Sequence, residues 1–133
     1  MLKSILCAAI AFLSLSTFAQ KITPDWAYNS TIYEINVRQF SKEGTFSAVS
    51  KQLPRLKSMG VDIIWLMPIH PIGVEKRKGT LGSEYSVKDY YGVNPEFGTK
   101  EDFKHLVDKI HSMGMYIIID WVGNHSSWDN QLV

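Results

Sequence analysis

The chain has 133 residues, the length of one small domain, of which 45% are hydrophobic, 12% aromatic and 20% charged. This is too apolar for a disordered chain and sufficient for a core. The formal net charge of +1 and the scattered basic residues argue against a nucleic-acid or anionic-membrane partner; the one basic run, Lys76-Arg77-Lys78, reads as a solvated loop.

Residues 1–19 read as a signal peptide. Lys3 supplies the positive start, and Ile5 to Leu15 is an apolar run too short to span a bilayer as a stable helix. Thr17 and Ala19 are the small residues at positions −3 and −1, which predicts cleavage before Gln20. An N-terminal anchor helix is the alternative. The expected destination is secreted or periplasmic. Cys7, the single cysteine, lies inside the segment to be removed, so residues 20–133 have no disulfide and rely on a core or a bound ion. Loss of Lys3 leaves them formally neutral.

A polar lead-in, Lys21 to Ser30, precedes an alternating β-rich stretch, Thr31 to Val37, read as a strand. A loop containing Gly44 follows. Phe46, Val49, Leu53, Leu56 and Met59 recur at helical spacing and predict a helix over 46–59, with Thr45 or Ser47 as cap and Gly60 as terminator. Pro54 predicts a kink or restart. Val61 to Met67 is almost continuously apolar, as a parallel strand covered on both sides would be. The connection from Pro68 to Gly98 is long, and loops of that length are usually functional or disordered; Tyr85, Asp89, Tyr90 and Tyr91 favour function. Thr99 followed by Lys100-Glu101-Asp102 opens a second helix with a variant capping box. Phe103, Leu106, Val107, Ile110 and Met113 form its apolar stripe, and Gly114 closes it. Met115 to Val122 is the third strand, and 123–133 is a polar loop.

The order strand, helix, strand, helix, strand is βαβαβ, a parallel α/β unit. Three strands cannot close a barrel, and two helices cannot cover both faces of the sheet. The pattern therefore belongs to a larger α/β domain, and its third strand presents an exposed edge.

Ligands of parallel α/β folds meet the loops after the strand C-termini. The third such loop, Asp120-Trp121-Val122-Gly123-Asn124-His125, combines an acid, an amide and an imidazole at one mouth. Asn124 offers a hard carbonyl oxygen of the kind calcium takes, and His125 can donate to a sugar hydroxyl or bind a softer metal. On spacing alone, a loop Asn and a lone His are more often capping or surface residues.

The same six residues fit the D-x-V-x-N-H motif of glycoside hydrolase family 13, the α-amylase family. Tyr85-Ser86-Val87-Lys88-Asp89-Tyr90, with Val93-Asn94-Pro95-Glu96-Phe97-Gly98-Thr99 after it, resembles that family's Y-x-x-x-D-Y segment and the run into its next helix. Gly60 to Ile69 resembles its second strand. The matches come in the family's order and cover the chain from about Ile32 to His125.

The resemblance implies the N-terminal βαβαβ portion of a TIM-type (β/α)8 barrel, residues 20–133 forming part of a catalytic domain. It implies retaining cleavage of α-1,4-glucosidic bonds in starch or maltodextrins by two carboxyl groups about 5–5.5 Å apart. By the motif match, Tyr85 is the aromatic platform under the sugar and His125 the group that hydrogen-bonds it. Asn124 is a ligand of a structural calcium ion, Asp120 orients its neighbours, and Asp89 supports the loop. Trp65 and Trp121 read as core residues before sugar platforms. Ser86 departs from the aromatic found there in many amylases. The family's nucleophile, acid/base and third acid lie on later strands, and Glu34, Asp89 and Asp129 are no substitutes. The 133-residue chain by itself is therefore expected to contain no catalytic residue and to be inactive. The competing readings are a barrel that has lost its chemistry and a small carbohydrate-binding module.

Overall fold

A computed structural model describes residues 23–133. The signal-peptide reading, its cleavage point and Cys7 lie outside the described residues. Strand β1 spans Ile32–Ile35, helix α1 Val37–Phe40, helix α2 Phe46–Ser58, strand β2 Ile63–Leu66, helix α3 Lys100–Ser112 and strand β3 Tyr116–Ile119. The sheet is parallel in the order β1-β2-β3, with Ile35, Leu66 and Ile119 in register. The βαβαβ order predicted from the sequence is the one observed.

β1 ends two residues earlier than the alternation predicts. Asn36 accepts the Gln39 backbone N–H at 3.3 Å and caps the short helix α1, so Val37 begins a helix rather than ending a strand. Thr45 caps α2 by accepting from the Ala48 N–H at 3.3 Å. At α3 the capping box is reciprocal: Asp102 N–H donates to Thr99 Oγ1 at 3.1 Å, and Thr99 N–H to Asp102 Oδ2 at 2.8 Å.

Both long helices end in the same way. Gly60 and Gly114 have φ of +85° and +66°, a region that costs glycine nothing. Gly60 N–H donates to Lys57 O at 3.0 Å and Val61 N–H to Leu56 O at 3.2 Å. The equivalent pair, Gly114 to His111 and Met115 to Ile110, spans 2.9 and 3.1 Å. These are Schellman caps, and the buried pairs Val61/Leu56 and Met115/Ile110 carry each chain directly into the next strand.

Pro54 neither ends nor restarts α2, which is continuous from Phe46 to Ser58. The carbonyl that proline leaves without its intrahelical donor is that of Ser50, and Lys109 of α3 donates to it at 3.0 Å.

The core lies between one sheet face and the two long helices. Ile35, Ile64, Leu66, Phe46, Leu53, Leu56, Leu106 and Ile110 are all 0–1% exposed, and each such side chain contributes about 1.5–3 kcal/mol by leaving water. Among the described residues β3 departs from this pattern: Ile118 and Ile119 are 45% and 39% exposed. Among the described residues β3 has a strand neighbour on one side only, and Glu34, Trp65 and Ile118 share the sheet face opposite the core in register. Trp65, read as a core residue, is half-buried on that face. Near its other end Trp26 stacks on Tyr116, ring centroids 3.7 Å apart. No helix among the described residues is long and apolar enough to cross a membrane.

Candidate active site

The C-terminal ends of the three strands converge on the long connection between β2 and α3, residues 67–99. An antiparallel bridge between Ile72 and Val87 folds this connection back on itself. Arg38, just past β1, holds it from below. Its guanidinium donates to Glu84 Oε1 at 3.1 Å and to Glu96 Oε2 at 3.0 and 3.2 Å, and the Asn36 amide donates to the same Glu84 oxygen at 3.3 Å. The residue before Tyr85 is thereby tied to the end of β1.

Tyr85 meets the end of β3. Its hydroxyl donates to Asp120 Oδ2 at 2.8 Å. That bond comes first among the causes that push the phenol up to about 12, followed by burial and then by the negative charges of Asp120, Glu34 and Glu84. Tyr85 is therefore a neutral donor at any ordinary pH, with its ring held by the carboxylate. Two residues singled out by separate motifs, 35 positions apart, are in direct contact.

Asn124 and His125 are both exposed, past the end of β3. The Tyr90 hydroxyl lies 3.0 Å from the His125 carbonyl oxygen. An open cavity of about 350 Å³ lies beside His125, bordered by Tyr90, Asn124 and Asn130. Asp89 accepts the Tyr91 N–H at 2.8 Å, a contact internal to the loop. Trp121, read as a core residue, is 66% exposed; its ring packs on Tyr90 at 4.8 Å and edge-on to His70 at 6.1 Å.

Among the described residues no three His, Cys, Asp or Glu side chains are grouped to hold a metal ion. Asn124 contributes one oxygen where calcium takes six to eight, so these residues alone do not fit a calcium site.

Several residues of this region were not legible as site residues. Arg38 and Glu84 carry no motif, and their pairing spans 46 positions. His70 is 9% exposed and donates from Nδ1 to Gly92 O at 3.0 Å. Asp129 accepts the Val74 N–H at 3.0 Å and pairs with Lys88 at 3.2 Å, clasping the last loop to the long one. Only Tyr90 had a signal, as the final residue of the Y-x-x-x-D-Y segment.

The family model for the α-amylase catalytic domain matches residues 18–132. The chain belongs to the α-amylase family. A solved α-amylase from Lactobacillus plantarum superposes with a TM-score of 0.77 at 52% identity, over 78% of this chain and 25% of that one. Alpha-amylase 3 of Dictyoglomus thermophilum is 30% identical over 95% of this chain and 25% of its own length. A trehalose synthase of Thermus thermophilus is 36% identical over 80% of this chain and 11% of its own. This α-amylase family chain thus spans a quarter or less of each of these three relatives. Its three parallel strands and their helices are the N-terminal βαβαβ portion of a TIM-type barrel.

Proposed function

We propose that this segment forms part of the sugar-binding wall of a glycoside hydrolase that cleaves α-1,4-glucosidic bonds in starch or maltodextrins with retention. The observation that carries this reading is the Tyr85–Asp120 contact at the strand ends, beside the loop bearing His125. A tyrosine ring locked by its own hydroxyl offers a rigid face to the C–H face of a glucose ring, with little rotamer freedom left to lose on binding. His125, exposed past the end of β3, hydrogen-bonds a hydroxyl of that sugar, and an imidazole nitrogen accepting from that hydroxyl strengthens the contact as positive charge develops on the ring.

The attacking and protonating carboxyl groups belong to the complete enzyme. The segment binds and orients, and residues 20–133 alone hydrolyse nothing. Asn124 serves as one oxygen donor to a structural calcium ion in the complete enzyme. The signal-peptide reading of residues 1–19 makes the protein secreted or periplasmic.

The test is the full-length protein with amylose and maltodextrins, the anomer of the first product read by NMR. His125→Ala is expected to lower kcat by about 10²-fold or more while weakening product binding less than tenfold, because the contact strengthens in the transition state. Equal losses in both remove His125 from that role. The trehalose synthase among the relatives supports a second reading, transfer within a disaccharide. Conversion of maltose to a non-reducing product, without net hydrolysis, favours it. Sugar binding without turnover of any glucan identifies a barrel that has lost its chemistry.

A further inference from the structure

The Tyr90 hydroxyl lies 2.7 Å from the Val122 carbonyl oxygen and 3.0 Å from that of His125. A phenol has one proton, so the two carbonyls share it. They bracket Gly123 and Asn124, and the turn that carries His125 closes over the hydroxyl. The ring beneath is held from two sides, by Trp121 at 4.8 Å and by His70 at 5.8 Å. His70 is fixed in turn by its bond to Gly92 O. The position of the hydroxyl therefore follows from packing against His70 of the long loop and Trp121 just after β3.

The same loop grips the chain again beyond His125. Ser127 N–H donates to Val87 O at 3.0 Å, and the Asn130 amide donates to the same oxygen at 2.9 Å. Between the two grips, Gly123, Asn124 and His125 are exposed. The Cα–Cβ direction of His125 is accordingly set by its backbone, and that backbone is held at its own carbonyl.

We propose that Tyr90 is a positioning residue: its hydroxyl, by holding the Val122 and His125 carbonyls, aims the His125 imidazole at the sugar bound over Tyr85. This rests on the reading of His125 as a sugar contact. Val122 is only 6% exposed, so removal of the hydroxyl leaves its carbonyl short of a donor in a place where water replaces it poorly. The turn then relaxes, and His125 moves with it. Misplacement of a catalytic group by about 1 Å costs on the order of 10²-fold in rate, so a partial relaxation costs about tenfold.

Tyr90→Phe removes the hydroxyl and keeps the ring against Trp121 and His70. In the full-length protein this substitution is expected to lower kcat about tenfold with KM changed less than about twofold. In a His125→Ala background it is expected to cost less than about twofold, because a residue that acts through another loses its effect when the other is gone. Hydrogen exchange of amides 123–126 is expected to accelerate, with α2 and α3 unchanged. The same factor lost with and without His125 overturns the proposal, as does unchanged kcat together with unchanged exchange. If the unsubstituted protein turns over no α-glucan, the amylase reading fails separately, and the exchange measurement alone decides whether Tyr90 holds the turn.

Discussion

Gly73 occupies a point where two loops touch, and its replacement by alanine tests whether that touch holds the site together. The residue is buried, and its φ lies outside the left-handed region, so its backbone would accept a side chain. Space would not. An added Cβ falls 2.2 Å from Ser127 Cβ, 2.7 Å from Ser127 Oγ and 2.8 Å from Asp129 Oδ1. The first contact is more than an ångström short of ordinary van der Waals distance. Ser127 cannot retreat freely, since its N–H is bonded to Val87 O at 3.0 Å. Overpacking of this kind costs about 1–3 kcal/mol and loss of a neutral hydrogen bond about 0.5–1.5 kcal/mol, so Gly73→Ala weakens the junction by about 2–4 kcal/mol. The assay is native-state hydrogen exchange of the Ser127 amide in the full-length protein. The expected acceleration is about 30- to 800-fold. Gly79→Ala is the control for backbone strain alone: its φ is +70° with nothing within 4 Å, and it leaves the Ser127 amide unaffected. Adding Ser127→Gly removes the worst contact and restores most of the protection. A Gly73→Ala protein within about 0.5 kcal/mol of the parent, below any overpacking cost, would refute the steric argument.

The Val74 N–H above all, with the Ser127 hydroxyl and then the Lys88 ammonium as lesser causes, holds the Asp129 carboxyl well below the usual carboxylate range against the opposing effect of burial. A depressed folded-state pKa gives stability that is fully present above the unfolded value of about 3.9 and is lost as pH falls below it through the folded value. Exchange protection of residues 126–130 is therefore expected to hold from neutrality into mild acid and to fall only in strong acid, and Asp129→Asn removes that dependence. Lys109→Met is expected to lower stability by about 0.5–1 kcal/mol in a thermal melt, because Ser50 O loses its substitute donor. The loss shrinks in a Pro54→Ala background, where the restored N–H at position 54 takes over. If Asn124 is a calcium ligand in the full-length protein, chelation lowers the melting temperature of the parent and leaves Asn124→Ala unchanged; an equal response in both removes Asn124 from the ion.

What the sequence by itself determined is the set of features whose causes lie within a few residues. The stripes Phe46–Leu56 and Phe103–Ile110, the box at Thr99 and the glycines after each helix are legible because capping and amphipathic spacing act over three or four positions. The exposed third-strand edge followed from the count of strands against helices. The end of β1 was misread for a local reason: Val37 fits both the strand's alternation and the first turn of a helix, and only the Asn36 cap distinguishes them. The restart expected at Pro54 does not occur, and Lys109, 59 positions from Ser50, supplies the donor that the proline lacks. The motif resemblance singled out Tyr85 and Asp120 separately, but their contact was not legible, since nothing in the spacing says that two residues 35 positions apart will meet. Tertiary structure alone decided the rest: Arg38 on Glu84, Tyr90 on the carbonyls around Asn124, and Asp129 on Val74. Each joins loops whose paths depend on how the helices seat the sheet, and a polar side chain in such a loop takes its partner from whatever that packing brings within hydrogen-bond reach.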